Sequence, residues 1–209
     1  MAEQYFSAEP ASKDVRRTLN VTLRGHEATA QVSNGVFSGS RVDLGTSVLL
    51  KHAPEPPLTG DFLDLGCGWG PIALTLAFES PEANVWAVDV NERALDLTHA
   101  NAQANGHTNI HTAQVDESST PLPAENQPAF CETVPSDLPI RVGKEALHTL
   151  LMAWLPKLKV GGAAYLVVQK NLGSDSLIPW LDDALGEGFT ASKYASSKGF
   201  RIIEVRHEI

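Results

Sequence analysis

The sequence predicts an α/β fold, a parallel sheet with crossover helices preceded by a β-hairpin, and three observations carry that reading. From Asp61 onward short apolar runs alternate with helical patterns, as strands and crossover helices do. Phe62–Leu65, Val85–Val88 and Ala163–Val168 are near-continuous apolar runs, as expected of strands covered on both faces. The seven residues Asp64-Leu65-Gly66-Cys67-Gly68-Trp69-Gly70 read as the turn from the first of these strands into a helix, with glycines where a ligand must approach the backbone.

In chain order, residues 1–15 are polar, carry Pro10 and read as a loosely held lead-in. Arg17–Leu23 and Glu27–Val32 alternate apolar and polar side chains around Gly25-His26, the period of a hairpin outside the main sheet. Between Gly35 and Leu50 a glycine-rich loop leads to a short helix that Thr46 could cap, ended by Pro54, Pro56 and Pro57. Helices are predicted at about 70–79 and 92–105. A third, Lys144–Leu155, places Leu147, Leu150, Leu151, Trp154 and Leu155 on one face, so Trp154 reads as core. Asp175–Leu185 makes another helix, and Phe189–Ser196 with Phe200–Arg206 a closing antiparallel pair. Glu117–Pro135, with Pro121, Pro123, Pro128 and Pro135, breaks the pattern and reads as a long loop. The domain expectation is an N-terminal extension over residues 1–57 and a main domain over 58–209.

Composition narrows the function. Sixteen basic and 25 acidic residues give a net charge of −9, which argues against extensive binding to a phosphate backbone. Cys67 and Cys131 lack metal or disulfide-framework spacing, and a reducing cytoplasm is the expected home. No apolar run reaches the roughly 18 residues of a membrane span. His107 and His111 flank the start of a predicted strand, but no metal site is expected.

Asp64 discriminates between ligands. A pyrophosphate loop offers bare N–H groups at a helix N-terminus, and a carboxylate there would repel phosphate, so the acid suits an amino-bearing ligand. Asp89, ending the next strand, could accept hydrogen bonds from ribose hydroxyls; equally it could start the following helix, a role open to Asn91. Asp116, after the run Asn109–Val115, could accept from an adenine amino group or be a solvated loop acid. No nucleophile elbow or phosphate-loop lysine occurs.

Together, D-x-G-x-G-x-G after one strand and an acid after the next resemble the class I S-adenosylmethionine-dependent methyltransferases. The resemblance implies a seven-stranded, doubly wound, mostly parallel Rossmann-like sheet. It also implies a cofactor site in which Asp64, Gly66, Cys67, Gly68 and Gly70 hold the methionine part, Asp89 and Val90 the ribose, and Asp116 the adenine.

G-V-F-S, Leu138–His148 (L-P-I-R-V-G-K-E-A-L-H), Val167–Leu177 (V-V-Q-K-N-L-G-S-D-S-L) and Ser197–Arg201 (S-K-G-F-R) are similar to a narrower group. These are the small-domain methyltransferases related to the guanine-N2 methyltransferases of ribosomal RNA. That group carries Asn-Pro-Pro and an apolar or aromatic residue after the fourth strand; here Asp137, Leu138, Pro139 and Ile140 stand there. A side-chain oxygen and a backbone carbonyl would orient an exocyclic amino group, whose lone pair is delocalised, in line with the methyl group. Asp137 keeps the acceptor; Leu138 gives up the fixed φ of proline. Arg141 and Lys144 follow, as ligands for a substrate phosphate or as surface charges. The resemblance thus implies methyl transfer to an amino nitrogen of ribosomal RNA, a partner that the net charge does not itself support. It leaves open a cofactor-binding protein without transfer, or a small-molecule or protein-amide acceptor.

Overall fold

The computed structural model describes residues 12–38, 40–116, 121–122, 133–136 and 144–208. Strands β1 (Arg16–Leu23) and β2 (His26–Ser33) form a separate antiparallel hairpin. It turns at Arg24-Gly25, both with positive φ, as a two-residue turn between twisted strands requires. Helix α1 (Leu44–His52) follows, then β3 (Asp61–Leu65), α2 (Pro71–Glu79), β4 (Asn84–Asp89), α3 (Glu92–Ala104) and β5 (Ile110–Val115). Next come β6 (Pro121–Leu122), β7 (Thr133–Ser136), α4 (Lys144–Trp154), β8 (Ala163–Gln169), α5 (Ser174–Leu185), β9 (Phe189–Ser197) and β10 (Phe200–His207).

Strands β3 to β10 make one sheet in the order β6-β5-β4-β3-β7-β8-β10-β9. The pairs β5–β4, β4–β3, β3–β7 and β7–β8 are parallel, while β10 runs antiparallel to both β8 and β9. The expectation of seven strands is therefore corrected to eight. The additional strand is the two-residue β6, which pairs antiparallel with the end of β5 and is too short to leave a period in the sequence.

The sheet is covered on both faces. Phe62, Val85, Ala87, Tyr165, Val167 and Ile202 lie in one buried cluster with residues of the hairpin, α1, α2 and α3. Leu63, Leu65, Val88, Leu166, Val168 and Ile203 lie in the other with residues of α4 and α5. Neighbours in sequence fall on opposite faces, which is why these strands are apolar without alternation. Trp154 is buried in the second cluster, as its helical spacing predicts.

Two local expectations are corrected. The N-cap of α1 is Asp43, whose carboxylate accepts from Gly45 N and Thr46 N, whereas Thr46 is a buried residue inside the helix. Asp precedes the helix in extended conformation and so reaches the free N–H groups, which a residue already in the helix cannot do. The segment 117–135 is not all loop, since β6 and the first residues of β7 fall within it. β7 takes a central place in the sheet, but it has only four residues and one pair with β3, Phe62↔Thr133. Pro135 within it has no N–H to donate, which weakens both the strand and its sequence signal.

Candidate functional site

The carboxyl ends of β3, β4 and β5 lie side by side, and the site is built on them. After Leu65 the chain turns through Gly66, Gly68 and Gly70, with φ of 80°, 59° and 89°. This loop is stitched to β4: Gly66 N and Cys67 N both donate to Val88 O (2.8 and 3.0 Å), and Gly68 N donates to Asp89 Oδ2 (3.0 Å). Asp89 Oδ1 accepts from Asn91 N at 2.9 Å. Asn91 itself caps α3 by accepting from Arg93 N, so the two readings of Asp89 separate, and the cap belongs to Asn91.

The three glycines do different work. A Cβ at Gly68 would meet only Phe37 O, at 3.9 Å, leaving the backbone open to a ligand. At Gly70 it would lie 3.0 Å from both Oγ1 and Cγ2 of Thr98, so that glycine makes room for α3. Thr98 Oγ1 in turn donates to Gly68 O at 3.1 Å.

Asp64 is buried, on the α2 face of β3, and its Oδ2 accepts from Ala73 N at 3.0 Å. Gly70, the N-cap of α2, has no side chain with which to cap. The strand carboxylate thus supplies the capping oxygen and places a charge at the positive end of the helix. Cys67 is also buried, and burial together with the nearby carboxylates of Asp89 and Asp64 pushes its thiol well above the usual range; it is an inert packing group. Val90 is partly buried against the second core cluster, and its carbonyl accepts from Gln114 Nε2 at 3.2 Å. Asp116 is partly buried just beyond β5, whose Gln114 pairs with Asp89. Asp137, Leu138, Pro139, Ile140 and Arg141 lie outside the described residues; Lys144 is the first residue of α4.

Sequence reading missed the supports behind the loop. Asn101, fully buried on α3, donates to Trp69 O (2.8 Å) and Gln31 O (3.0 Å) and accepts from Gln31 N (2.6 Å). Asn91 Nδ2 donates to Gly35 O at 2.8 Å, and Arg93 Nη1 to Asn34 O at 2.7 Å. The hairpin and the segment after it are therefore fastened to the same helix that braces the glycine loop. A signal was present: Thr98 and Asn101 are polar residues at helical spacing on the face of α3 that carries Ala94 and Leu97.

The model of the methyltransferase small domain matches residues 27–204, from within β2 into β10 and most of the chain. The chain belongs to the methyltransferase small domain family. Its members use S-adenosylmethionine, and this methyltransferase is an α/β protein of Rossmann-like fold. It is 34% identical over 206 residues to the uncharacterized protein YbxB of Bacillus subtilis, spanning 99% of each chain. It is 38% identical over 100 residues to ribosomal RNA large subunit methyltransferase G of Cronobacter sakazakii, covering 48% of this chain but 26% of that one. Among solved structures it is similar to the T. thermophilus 16S rRNA N2 G1207 methyltransferase RsmC in complex with AdoMet and guanosine. There the TM-score is 0.73 at 21% identity, over 94% of this chain and 52% of that one. The chain thus spans about half the length of RsmC and about a quarter of the Cronobacter enzyme.

The residues fit S-adenosylmethionine: the space beside Gly68 admits a ligand to the backbone, and Asp89 offers a carboxylate at a strand end. A separate cavity of about 410 Å³, lined by Arg24, Leu49, Glu79, Val160 and Tyr165 among others, borders the residues that lead into β8. It lies at the opposite pole and contains none of the site residues.

Burial raises the Asp89 carboxyl from 3.8 to about 6, only partly offset by the N–H groups of Asn91, Gly68 and Val90. Two opposite pH trends follow. For a cofactor held through Asp89, affinity should fall as pH drops through about 6, because protonation removes the anionic acceptor. Stability of the ligand-free protein from this group should instead fall as pH rises from roughly 4 to 6, since the folded state holds the proton more tightly. Calorimetric titration at pH 5 and pH 7.5, with denaturant melts over the same range, checks both. A pH-independent affinity, or an Asp89→Asn variant with the wild-type profile, would contradict this assignment.

Proposed function

We propose that this protein transfers a methyl group from S-adenosylmethionine to an exocyclic amino nitrogen, guanine N2 of ribosomal RNA, in the cytoplasm. The observation that carries the reading is the placement of β7. It lies between β3 and β8 and ends at Ser136, so the residue preceding Asp137 is beside the strand that opens the glycine loop. When bound, S-adenosylmethionine supplies the electrophilic methyl group. In this proposal Gly66, Cys67 and Gly68 lie against its methionine part, with Gly70 holding the loop to α3. Asp64 fixes the start of α2 and sets a negative charge toward the ammonium. Asp89 and Val90 hold the ribose, and Asp116 the adenine. The carboxylate of Asp137 and the carbonyl of Leu138 accept hydrogen bonds from the amino group and orient its nitrogen, with Pro139 and Ile140 flanking the base. Arg141 and Lys144 meet substrate phosphate. The activity of RsmC, a 16S rRNA N2 G1207 methyltransferase, supports the substrate class.

Calorimetric titration of S-adenosylmethionine should show binding by the wild type. Asp89→Ala should weaken it roughly 100-fold through two lost charge-assisted hydrogen bonds. Labelled methyl transfer to undermethylated ribosomal RNA should be abolished by Asp137→Ala. Absence of wild-type binding would end the reading. Leu138 in place of proline, and Pro135 in β7, favour a second reading in which the cofactor is bound without transfer; tight binding with no labelled product from RNA would select it. Transfer to a nuclease-treated extract would select a small-molecule or protein-amide acceptor instead.

A further inference from the structure

The turn between β9 and β10 lies on the same pole as the glycine loop. β10 is antiparallel to β8 with Phe200 opposite Gln169, and Lys170 N donates to Gly199 O at 2.9 Å. The Lys198-Gly199 turn therefore sits at the carboxyl end of β8. It is separated from the end of β7 by two strand spacings, roughly 10 Å. Lys170 and Lys198 are both exposed, and neither has an ion-pair partner among the described residues. Their neighbours Gln169, Asn171, Ser196 and Ser197 carry no charge. Close by on β10, Arg201 Nη1 pairs with Asp175 at the start of α5.

The other hairpin gives an internal comparison. Its turn has the same form, Arg24 at φ 47° and Gly25 at φ 90°, against Lys198 at 48° and Gly199 at 82°. A non-glycine residue in that conformation is strained, and asparagine or glycine is the ordinary choice. Arg24 has a visible reason to be there: it donates to Glu79 Oε1 (2.6 Å), Leu50 O (3.0 Å) and Ala53 O (2.8 Å). Lys198 occupies the corresponding position with no such partner among the described residues, which directs its charge outward.

We propose that Lys170 and Lys198 form a phosphate-binding rim that takes the sugar-phosphate backbone of single-stranded RNA next to the nucleotide at the end of β7. The assignment rests on the RNA substrate proposed above. In a protein of net charge −9 such a rim acts only at short range, so it positions the strand and does not attract it from a distance.

The test uses a guanine-free probe, a uridine oligonucleotide, so that backbone binding is read apart from methylation of guanine. For the wild type, the logarithm of affinity should fall with the logarithm of salt concentration. In Lys170→Gln/Lys198→Gln that slope should shrink by about 1.4, the value for two phosphates on a single strand. Affinity for S-adenosylmethionine should stay unchanged. An unchanged slope, or no oligonucleotide binding by the wild type, overturns the rim even where transfer to guanine is seen. A reduced slope supports it even where the guanine reading fails. Displacement of the oligonucleotide by inorganic phosphate at matched phosphate concentration would mark a free-anion site and overturn the backbone assignment.

Discussion

Gly70→Ala should destabilise the protein by about 3 kcal/mol, combining the strain of left-handed backbone with overpacking of a buried contact. The residue has φ 89° and is the N-cap of α2, and its missing Cβ is matched by Thr98 at 3.0 Å. Thr98 is fully buried and its hydroxyl is committed to Gly68 O, so it cannot turn away without losing that bond. Denaturant melts of Gly70→Ala, Thr98→Ala and the double variant separate the causes. The double variant should regain the steric part while keeping the backbone strain, so it should be more stable than the sum of the singles predicts. Additive losses would show that the contact is not the cause. Gly68→Ala makes the complementary comparison: at φ 59° it keeps the backbone strain, but with only Phe37 O at 3.9 Å from its Cβ it should lack the steric part of the Gly70→Ala loss.

Asn101→Leu should cost about 3 kcal/mol and weaken S-adenosylmethionine binding about tenfold. The leucine keeps the volume but leaves Trp69 O, Gln31 O and Gln31 N without the amide they share. Asn105, one helical turn on, serves as the control. It donates to Thr29 O (2.9 Å) and accepts from Thr29 N (3.1 Å), the same pattern toward the hairpin, but at a half-buried position and without a bond to the glycine loop. Asn105→Ala should therefore cost about 1 kcal/mol and leave cofactor affinity unchanged. Thermal melts and calorimetry on the two variants decide it; equal effects on affinity would remove the distinction between holding the hairpin and holding the loop.

Much of the fold was legible because its signals are local. The doubly covered strands appear as near-continuous apolar runs at Phe62–Leu65 and Ala163–Val168, and α4 as an apolar stripe that includes Trp154. The glycine loop and Asp89 were legible for the same reason, since each lies within a few residues of a strand end. What escaped depends on distant partners. Asp64 reads as an acid aimed at a ligand, but its bond to Ala73 N appears only once α2 is folded back against β3. Thr46 is a capping type, but Asp43 is the stronger one and stands at the right position, which only the start of the folded helix reveals. β6 and β7 are short and carry prolines, so neither leaves a period to read; register with β5 and β8 defines them.

The fastening of the hairpin to α3 also bears on the order in which the protein assembles. Within the hairpin the most distant pair is Arg16 and Ser33, so its loop can close early and locally. Its attachments to Asn101 and Asn105 join positions 70 and 76 residues apart. Contacts of such long sequence separation carry the larger loop-closure cost and are expected to form after α2 has wound and β3 has paired with β4. The glycine loop is thus expected to gain this brace near the end of folding, when the hairpin strands meet the helix behind the loop.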